Sequence, residues 1–205
     1  DDGIIRDSVS GHRAVLMNGI QLNSTDGAVF TGGNAVNNDG DPYSGTYIDI
    51  DDFDIAGPCT FEVYFTCTET VNYARIIDFG QVYQGEQTAE RNYNILIYRI
   101  GTSNTIKWRD YGSRDGNSGD SSLINSPNTT IQNNVPIHLI FTIDNNGTYT
   151  AYLNGQQVDQ ESGKQISWDI NNSEKYMWLG RSNWQKNDPG LIGNIKFLRY
   201  WNTNI

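Results

Sequence analysis

The chain has 205 residues and a formal net charge of -10, with 24 Asp and Glu against 14 Lys and Arg. Such a surface repels phosphate backbones instead of releasing their counterions, so DNA and RNA are not expected partners. The 21 Gly, 12 Tyr, 7 Phe and 5 Trp favour strands and tight turns over helix, and no apolar run approaches the ~20 residues of a membrane span.

Ile4, Ile5, Ala14 to Met17 and Ile20 form short apolar patches among Gly and Ser and predict an N-terminal edge segment. Ala28-Val-Phe30 is a short strand, followed by a polar, Gly-rich span from Gly32 to Gly45. That span is long for a hairpin connection and is a candidate functional loop. Tyr47-Ile-Asp-Ile50 resumes the sheet and leads into the acidic cluster Asp49, Asp51, Asp52 and Asp54. In Thr60 to Thr66 the alternation puts Phe61, Val63 and Phe65 on one face and Glu62, Tyr64 and Thr66 on the other. Arg75 to Gly80 is apolar at both parities, which predicts a central strand covered on both sides.

Tyr93 to Ile100 and Thr105 to Tyr111 read as a strand pair, followed by a polar loop from Gly112 to Pro127. Ile137 to Ile143, Tyr149 to Leu153 and a return strand to residue 159 read as a meander in the middle of a sheet. Asn146-Gly147 and Asn154-Gly155 join these strands, and both pairs tolerate the positive φ of a type I′ turn. Gln165 to Asp169 and Tyr176 to Arg181 follow as strands. After the loop Ser182 to Gly190, a closing strand from Leu191 to Trp201 carries Ile195, Phe197 and Trp201 on one parity. About twelve short strands imply one all-β domain, residues 1–205, built as a sandwich of two antiparallel sheets. A chain of this length buries roughly 70% of its unfolded surface and needs no disulfide or metal merely to fold.

Cys59 and Cys67 lie at the two ends of one predicted strand, roughly 27 Å apart, and cannot bridge while it is straight. With His12, His138 and no triad spacing, zinc and nucleophilic catalysis lack support. Glu62 is isolated among apolar neighbours, so it reads as a sheet-face residue bonded to its neighbours, and His138 as structural. Four N-x-Ser/Thr sequons, at Asn23, Asn128, Asn146 and Asn171, are about as many as composition alone yields. Calcium is the better metal candidate because it takes oxygens from Asp, Asn and backbone carbonyls in loops. Asn37, Asp39 and Asp41 are the first candidate ligands, and the stretch Asp115 to Asp120 is the second. Ordinary turn chemistry accounts for the same residues without a metal.

A sugar site needs an aromatic face for the C–H side of a pyranose, with amides and charged groups for its hydroxyls. Asn183, Trp184 and Gln185 have that composition, with Arg181 beside them. Arg75 and Tyr83 join them if their strands are neighbours, and Tyr73 and Trp108 could add to the group. Trp108, Trp168, Trp178 and Trp201 lie in strands and read as core.

Ala28-Val-Phe30, Thr60 to Tyr64, Arg75 to Gly80, Tyr152-Leu-Asn-Gly155, Leu179-Gly-Arg-Ser182 and Gly193 to Tyr200 together resemble the laminin-G-like branch of the concanavalin A-like lectin/glucanase superfamily. The resemblance implies a jelly-roll sandwich with loops at its rim, a scaffold that serves lectins, adhesion modules, glycosidases and lyases. Asn194 stands where many relatives have an acidic residue, and no Glu-x-Asp-x-x-Glu strand of the retaining glucanases is present. The expectation is therefore a non-catalytic carbohydrate-binding or cell-surface recognition module, with calcium as a candidate cofactor and a glycan or glycoprotein as partner. Two alternatives are a structural or protein-interaction domain of an extracellular or virion-surface assembly, and a glycan-degrading enzyme. Because the sequence begins at Asp1, a mature product or excised part of a larger, surface-exposed or secreted chain is expected.

Overall fold

The computed structural model describes residues 3–33, 45–53, 55, 58–81, 95–101, 104–110, 130–162, 175–182 and 188–205. These residues form two seven-stranded antiparallel sheets in a jelly-roll sandwich. Sheet A runs β1 (Ile4–Arg6), β2 (Arg13–Met17), β5 (Tyr47–Ile50), β13 (Lys175–Leu179), β7 (Arg75–Gln81), β8 (Ile95–Ile100), β9 (Thr105–Asp110). Sheet B runs β12 (Gln156–Glu161), β11 (Tyr149–Leu153), β10 (Ile137–Ile143), β6 (Cys59–Cys67), β14 (Ile192–Trp201), β4 (Gly27–Thr31), β3 (Gln21–Asn23). No helix long and apolar enough to cross a membrane occurs among the described residues.

The core lies between the sheets. Phe61, Val63 and Phe65 project into it from β6 and are fully buried, as their alternation requires. Leu139, Phe141 and Ile143 join them from β10, and Ile77, Phe79, Ile97, Met177 and Leu179 meet them from sheet A. Phe61 stacks on Phe141 with ring centroids 5.0 Å apart. Trp108 closes the layer against Phe141 at 3.7 Å and Tyr149 at 5.2 Å. Each such side chain contributes roughly 1.5–3 kcal/mol by leaving water. Cys59 and Cys67 are free, buried thiols at opposite ends of β6, and burial pushes the Cys67 thiol up to about 11.

The Asn154-Gly155 turn has φ of 50° and 81° at its two residues, the pair of positive angles that a type I′ hairpin demands. Three features differ from the sequence reading. The meander β10-β11-β12 lies at the edge of sheet B, with β12 outermost. At Asn146-Gly147 only Gly147 has positive φ. The Asp144 carboxylate takes up the amides of Asn146 and Thr148 there, each at 2.8 Å, so a longer capped turn replaces the two-residue one. The third difference is a bulge between Ile195 and Phe197 that breaks the parity of β14. Ile195 is in the core while Phe197 stacks on Tyr64 on the opposite face, 5.7 Å between centroids, and Leu198 and Tyr200 pack on the core instead. One extra residue in a strand reverses the facing of all that follow.

Gly193 lies where β14 approaches β6 closely, with φ of 153°, and a Cβ there would meet the Thr66 carbonyl oxygen at 2.0 Å. Backbone rather than a movable side chain blocks that position. Gly193→Ala is expected to lower unfolding free energy by about 2–4 kcal/mol in urea titration, and a loss within about 0.5 kcal/mol, the level of a neutral surface change, would contradict this packing.

Candidate functional site

The outward face of sheet A carries the chemistry. Alternation sets Met177 and Leu179 into the core and turns Trp178 the other way. Trp178 is paired with Asp49 on one side and Asp78 on the other. Asp78 in turn pairs with Leu96, so one cross-strand row on this face reads Asp49, Trp178, Asp78, Leu96. An outward sheet face is ordinarily wet. Here Trp178, Asp78, Leu96, Tyr98 and Arg75 are all buried, so a polar and aromatic layer has been built on a surface that the fold alone would leave to solvent.

Arg181 sits over one half of this layer. Its guanidinium carbon is 3.8 Å from the centroid of the Trp178 ring and 4.6 Å from that of Tyr47. Tyr176 adds a third ring, 5.0 Å from Trp178. Gly180, with φ of 77°, makes the bend that returns Arg181 over the strand it has just left, and Phe30 fills the space where a Cβ would be. A guanidinium held over aromatic rings by cation–π attraction keeps N–H donors that can read carboxylates and hydroxyls. Burial holds the Asp49 carboxyl above its ordinary range, against the pull of the Trp178 indole N–H and the Arg181 charge. Among the described residues that N–H nevertheless has no hydrogen-bond partner of normal geometry.

Arg75 organises the other half. Its Nε donates to Asp78 at 3.2 Å, Nη1 to the Tyr73 carbonyl at 2.8 Å, and Nη2 to Asp188. Its guanidinium carbon is 5.1 Å from the Tyr98 ring centroid, and Ser182 approaches Asp78 at 3.4 Å. Arg75 thus works as a buried clamp whose fork is turned to the protein, and it does not reach the Arg181 group as an open contact.

The backbone roots the candidate loops beside one another. Gly190 N–H donates to the Gly33 carbonyl at 2.9 Å and Gly32 N–H to the Leu191 carbonyl at 2.8 Å. The segments 34–44 and 183–187 therefore leave the fold from adjacent points. Asn37, Asp39, Asp41, Tyr83, Asn183, Trp184 and Gln185, together with Asp115 to Asp120 and Trp168, lie outside the described residues. No group of three His, Cys, Asp or Glu fit to hold a metal occurs among the described residues. Asn194 donates its amide to the Asp26 carbonyl at 2.8 Å.

Sequence reasoning places Trp178 in the core and leaves Tyr47, Asp49 and Asp78 without a role. The signal is there in the alternation. Tyr47 and Asp49 interleave with Ile48 and Ile50, and Asp78 is the one acid within an apolar strand. On the outward face of sheet B, Glu62 accepts from Arg199 at 3.0 Å and meets His138 Nε2 at 2.6 Å. These groups satisfy one another across three neighbouring strands.

The sequence profile of the Concanavalin A-like lectin/glucanases superfamily, in its laminin G form, matches residues 39–205. No curated protein matches the sequence. Among solved structures, the Ruminococcus gnavus IT-sialidase CBM40 bound to α2,3 sialyllactose is similar, with TM-score 0.56 and 15% identity over 73% of this chain and 77% of that one. A mutant of the NanB sialidase from Streptococcus pneumoniae gives TM-score 0.57 and 20% identity over 86% of this chain and 26% of that one. The binding domain of Botulinum neurotoxin DC, in complex with rat synaptotagmin II, gives TM-score 0.61 and 14% identity over 97% of this chain and 45% of that one.

Removing the Arg75 guanidinium strands the buried Asp78 carboxylate. Arg75→Met is expected to cost about 3–5 kcal/mol in urea denaturation, and a cost below about 1 kcal/mol would show the pair to be dispensable. Asp49 predicts the opposite sign. A carboxyl raised in the fold is penalised once ionised, so its destabilisation is absent below the ordinary carboxyl pKa of roughly 3.9 and full above the raised one. Asp49→Asn should therefore melt at a higher temperature than the parent at pH 7 and at the same temperature near pH 3. A lower melting temperature at pH 7 would refute the assignment.

Proposed function

Because the chain belongs to the concanavalin A-like lectin/glucanase superfamily, we propose that it is a non-catalytic binding module that holds a glycan on the outward face of sheet A. The observation that carries this reading is Arg181 stacked on Tyr47 and Trp178 beside Asp49. Tyr47 and Trp178 are buried beneath Arg181 and position it, so the half-exposed Arg181 and Asp49 are the groups that can meet a sugar's hydroxyls or carboxylate, with the half-exposed Tyr176 for its C–H face. Asn183, Trp184 and Gln185 are proposed as further glycan contacts and Asn37, Asp39 and Asp41 as calcium ligands, on their residue types alone, since they lie outside the described residues. In this reading the module works outside the cell or on a surface, as part of a larger chain. The sialyllactose bound by the structurally similar CBM40 agrees with it.

A second reading is protein recognition. The half-exposed stripe of Tyr64, Phe197, Ile140 and Tyr152 on sheet B favours it, as does the complex of the neurotoxin binding domain with synaptotagmin II.

An array of sialylated, neutral and uronate oligosaccharides, probed with and without EDTA, separates the readings. Binding that Arg181→Ala weakens roughly 10- to 100-fold is expected, the range of a charge-assisted contact. Loss of signal in EDTA is the outcome expected of the calcium loop. No binding to any glycan would sink the module reading and leave protein recognition, whereas release of sugar product would point to an enzyme.

A further inference from the structure

We propose that Tyr73 is a second glycan-contacting residue, an aromatic platform for the C–H face of a pyranose whose hydroxyls are taken up by Asp188. This rests on the glycan-binding reading above but on different residues. Tyr73 has φ of 62°, a left-handed conformation that Asn or Gly adopts cheaply and that makes a bulky side chain an outlier. Burial does not compensate, since the residue is 46% exposed. Its ring has Tyr98 beside it, 6.1 Å between centroids and tilted by 35°, which leaves it propped at the rim.

The strained backbone is held from both sides. Tyr73 N–H donates to the Arg99 carbonyl at 2.8 Å, and its own carbonyl accepts from Arg75 Nη1 at 2.8 Å. The turn behind it is fixed by Gly101 N–H donating to Asn72 Oδ1 at 3.1 Å. Arg99, buried, ties the same turn down through the Glu69 carbonyl at 2.6 Å and Thr70 Oγ1 at 3.0 Å. Two buried arginines therefore immobilise a turn whose outward product is one exposed phenol ring. The Arg75 fork carries Tyr73 on one arm and Asp188 on another, and the Asp188 side chain keeps 23% of its surface exposed. An exposed aromatic and a part-exposed carboxylate tied to the same arginine make a minimal sugar subsite, and strain at an exposed position is a pointer to function.

The test compares Tyr73→Asn, Tyr73→Phe and Arg181→Ala on the same oligosaccharide array, with thermal melts of each. Tyr73→Asn is expected to weaken binding roughly 3- to 10-fold, the scale of one aromatic stack, while melting at or above the parent temperature because the strain is relieved. Tyr73→Phe should bind like the parent. If Tyr73→Asn binds like the parent while Arg181→Ala does not, the Tyr73 subsite is overturned and the module reading stands. A clear fall in the melting temperature of Tyr73→Asn would make Tyr73 a packing residue and also overturn it. If the parent binds no member of the array, both fall together.

Discussion

A buried charge must be answered on every side, and the Arg75 guanidinium is answered by two neighbours in its own stretch of chain and by one residue more than a hundred positions away. Asp78 belongs to its own strand, Tyr73 to the turn before it, and Asp188 to the approach of the closing strand. Arg75 N–H also donates to the Pro189 carbonyl at 3.2 Å. Leaving such a guanidinium or its carboxylate unpaired in the interior costs several kcal/mol, which ties the stretch 73–78 to the approach of the closing strand at 188–189. The rim of sheet A takes its shape from this requirement. Hydrophobic burial decides that two sheets pack; the arginine decides how their edge is finished.

Glycine backbone completes what the ion cluster begins. Gly32, Gly180 and Gly190 are the points where β4, β13 and the approach to β14 come close enough for direct amide contacts, with Gly180 N–H on the Ile76 carbonyl at 3.1 Å and Leu191 N–H on the Gly180 carbonyl at 3.2 Å. A side chain at Gly180 would strike the Phe30 ring, whose Cδ1 lies 2.2 Å from the added Cβ. Local packing thus sets where Arg181 lies and from which points the neighbouring loops depart. The candidate site is a consequence of strand order: β13, which starts at Lys175, lies between β5, which ends at Ile50, and β7, which ends at Gln81.

Much of the fold is legible in alternation. Phe61, Val63 and Phe65 declare the inner face of β6, the doubly apolar run from Arg75 declares a central strand, and Asn154-Gly155 declares its turn. The failures have physical causes. A bulge is invisible to a period of two, so the pattern assigns Phe197 to the wrong face. Strand order is not written in local pattern, so the meander reads as central when it forms an edge. Alternation also says that two sets of residues face opposite ways without saying which environment each meets. Trp178 reads as core and is buried, but in a small cluster on the outward face, since a buried outward face and a buried inward face leave the same trace in composition. Arg75 reads as a ligand contact because an arginine beside a tyrosine suggests one; the three-dimensional arrangement adds that three of its donors go to Asp78, Tyr73 and Asp188.

The two outward faces differ in what they cost the fold, and that difference supports the proposed sheet A site better than their composition does. On sheet B, Glu62, His138 and Arg199 satisfy one another at a half-exposed surface, and Tyr64 and Phe197 stack between them. Such an arrangement stabilises the sheet or is neutral to it. On sheet A, a carboxyl at Asp49 is held partly out of water with its pKa raised, a tyrosine is kept at φ of 62° with its ring exposed, and Arg75 and Asp78 are buried as ions. The first two oppose folding and would be relieved by a simple substitution, whereas the buried Arg75–Asp78 pair is at best neutral and cannot lose one partner without cost. Costs of this kind cluster where side chains must be presented in a fixed arrangement to something outside the protein. All of them fall on one face, at or beside one rim, and packing alone gives no reason for that coincidence.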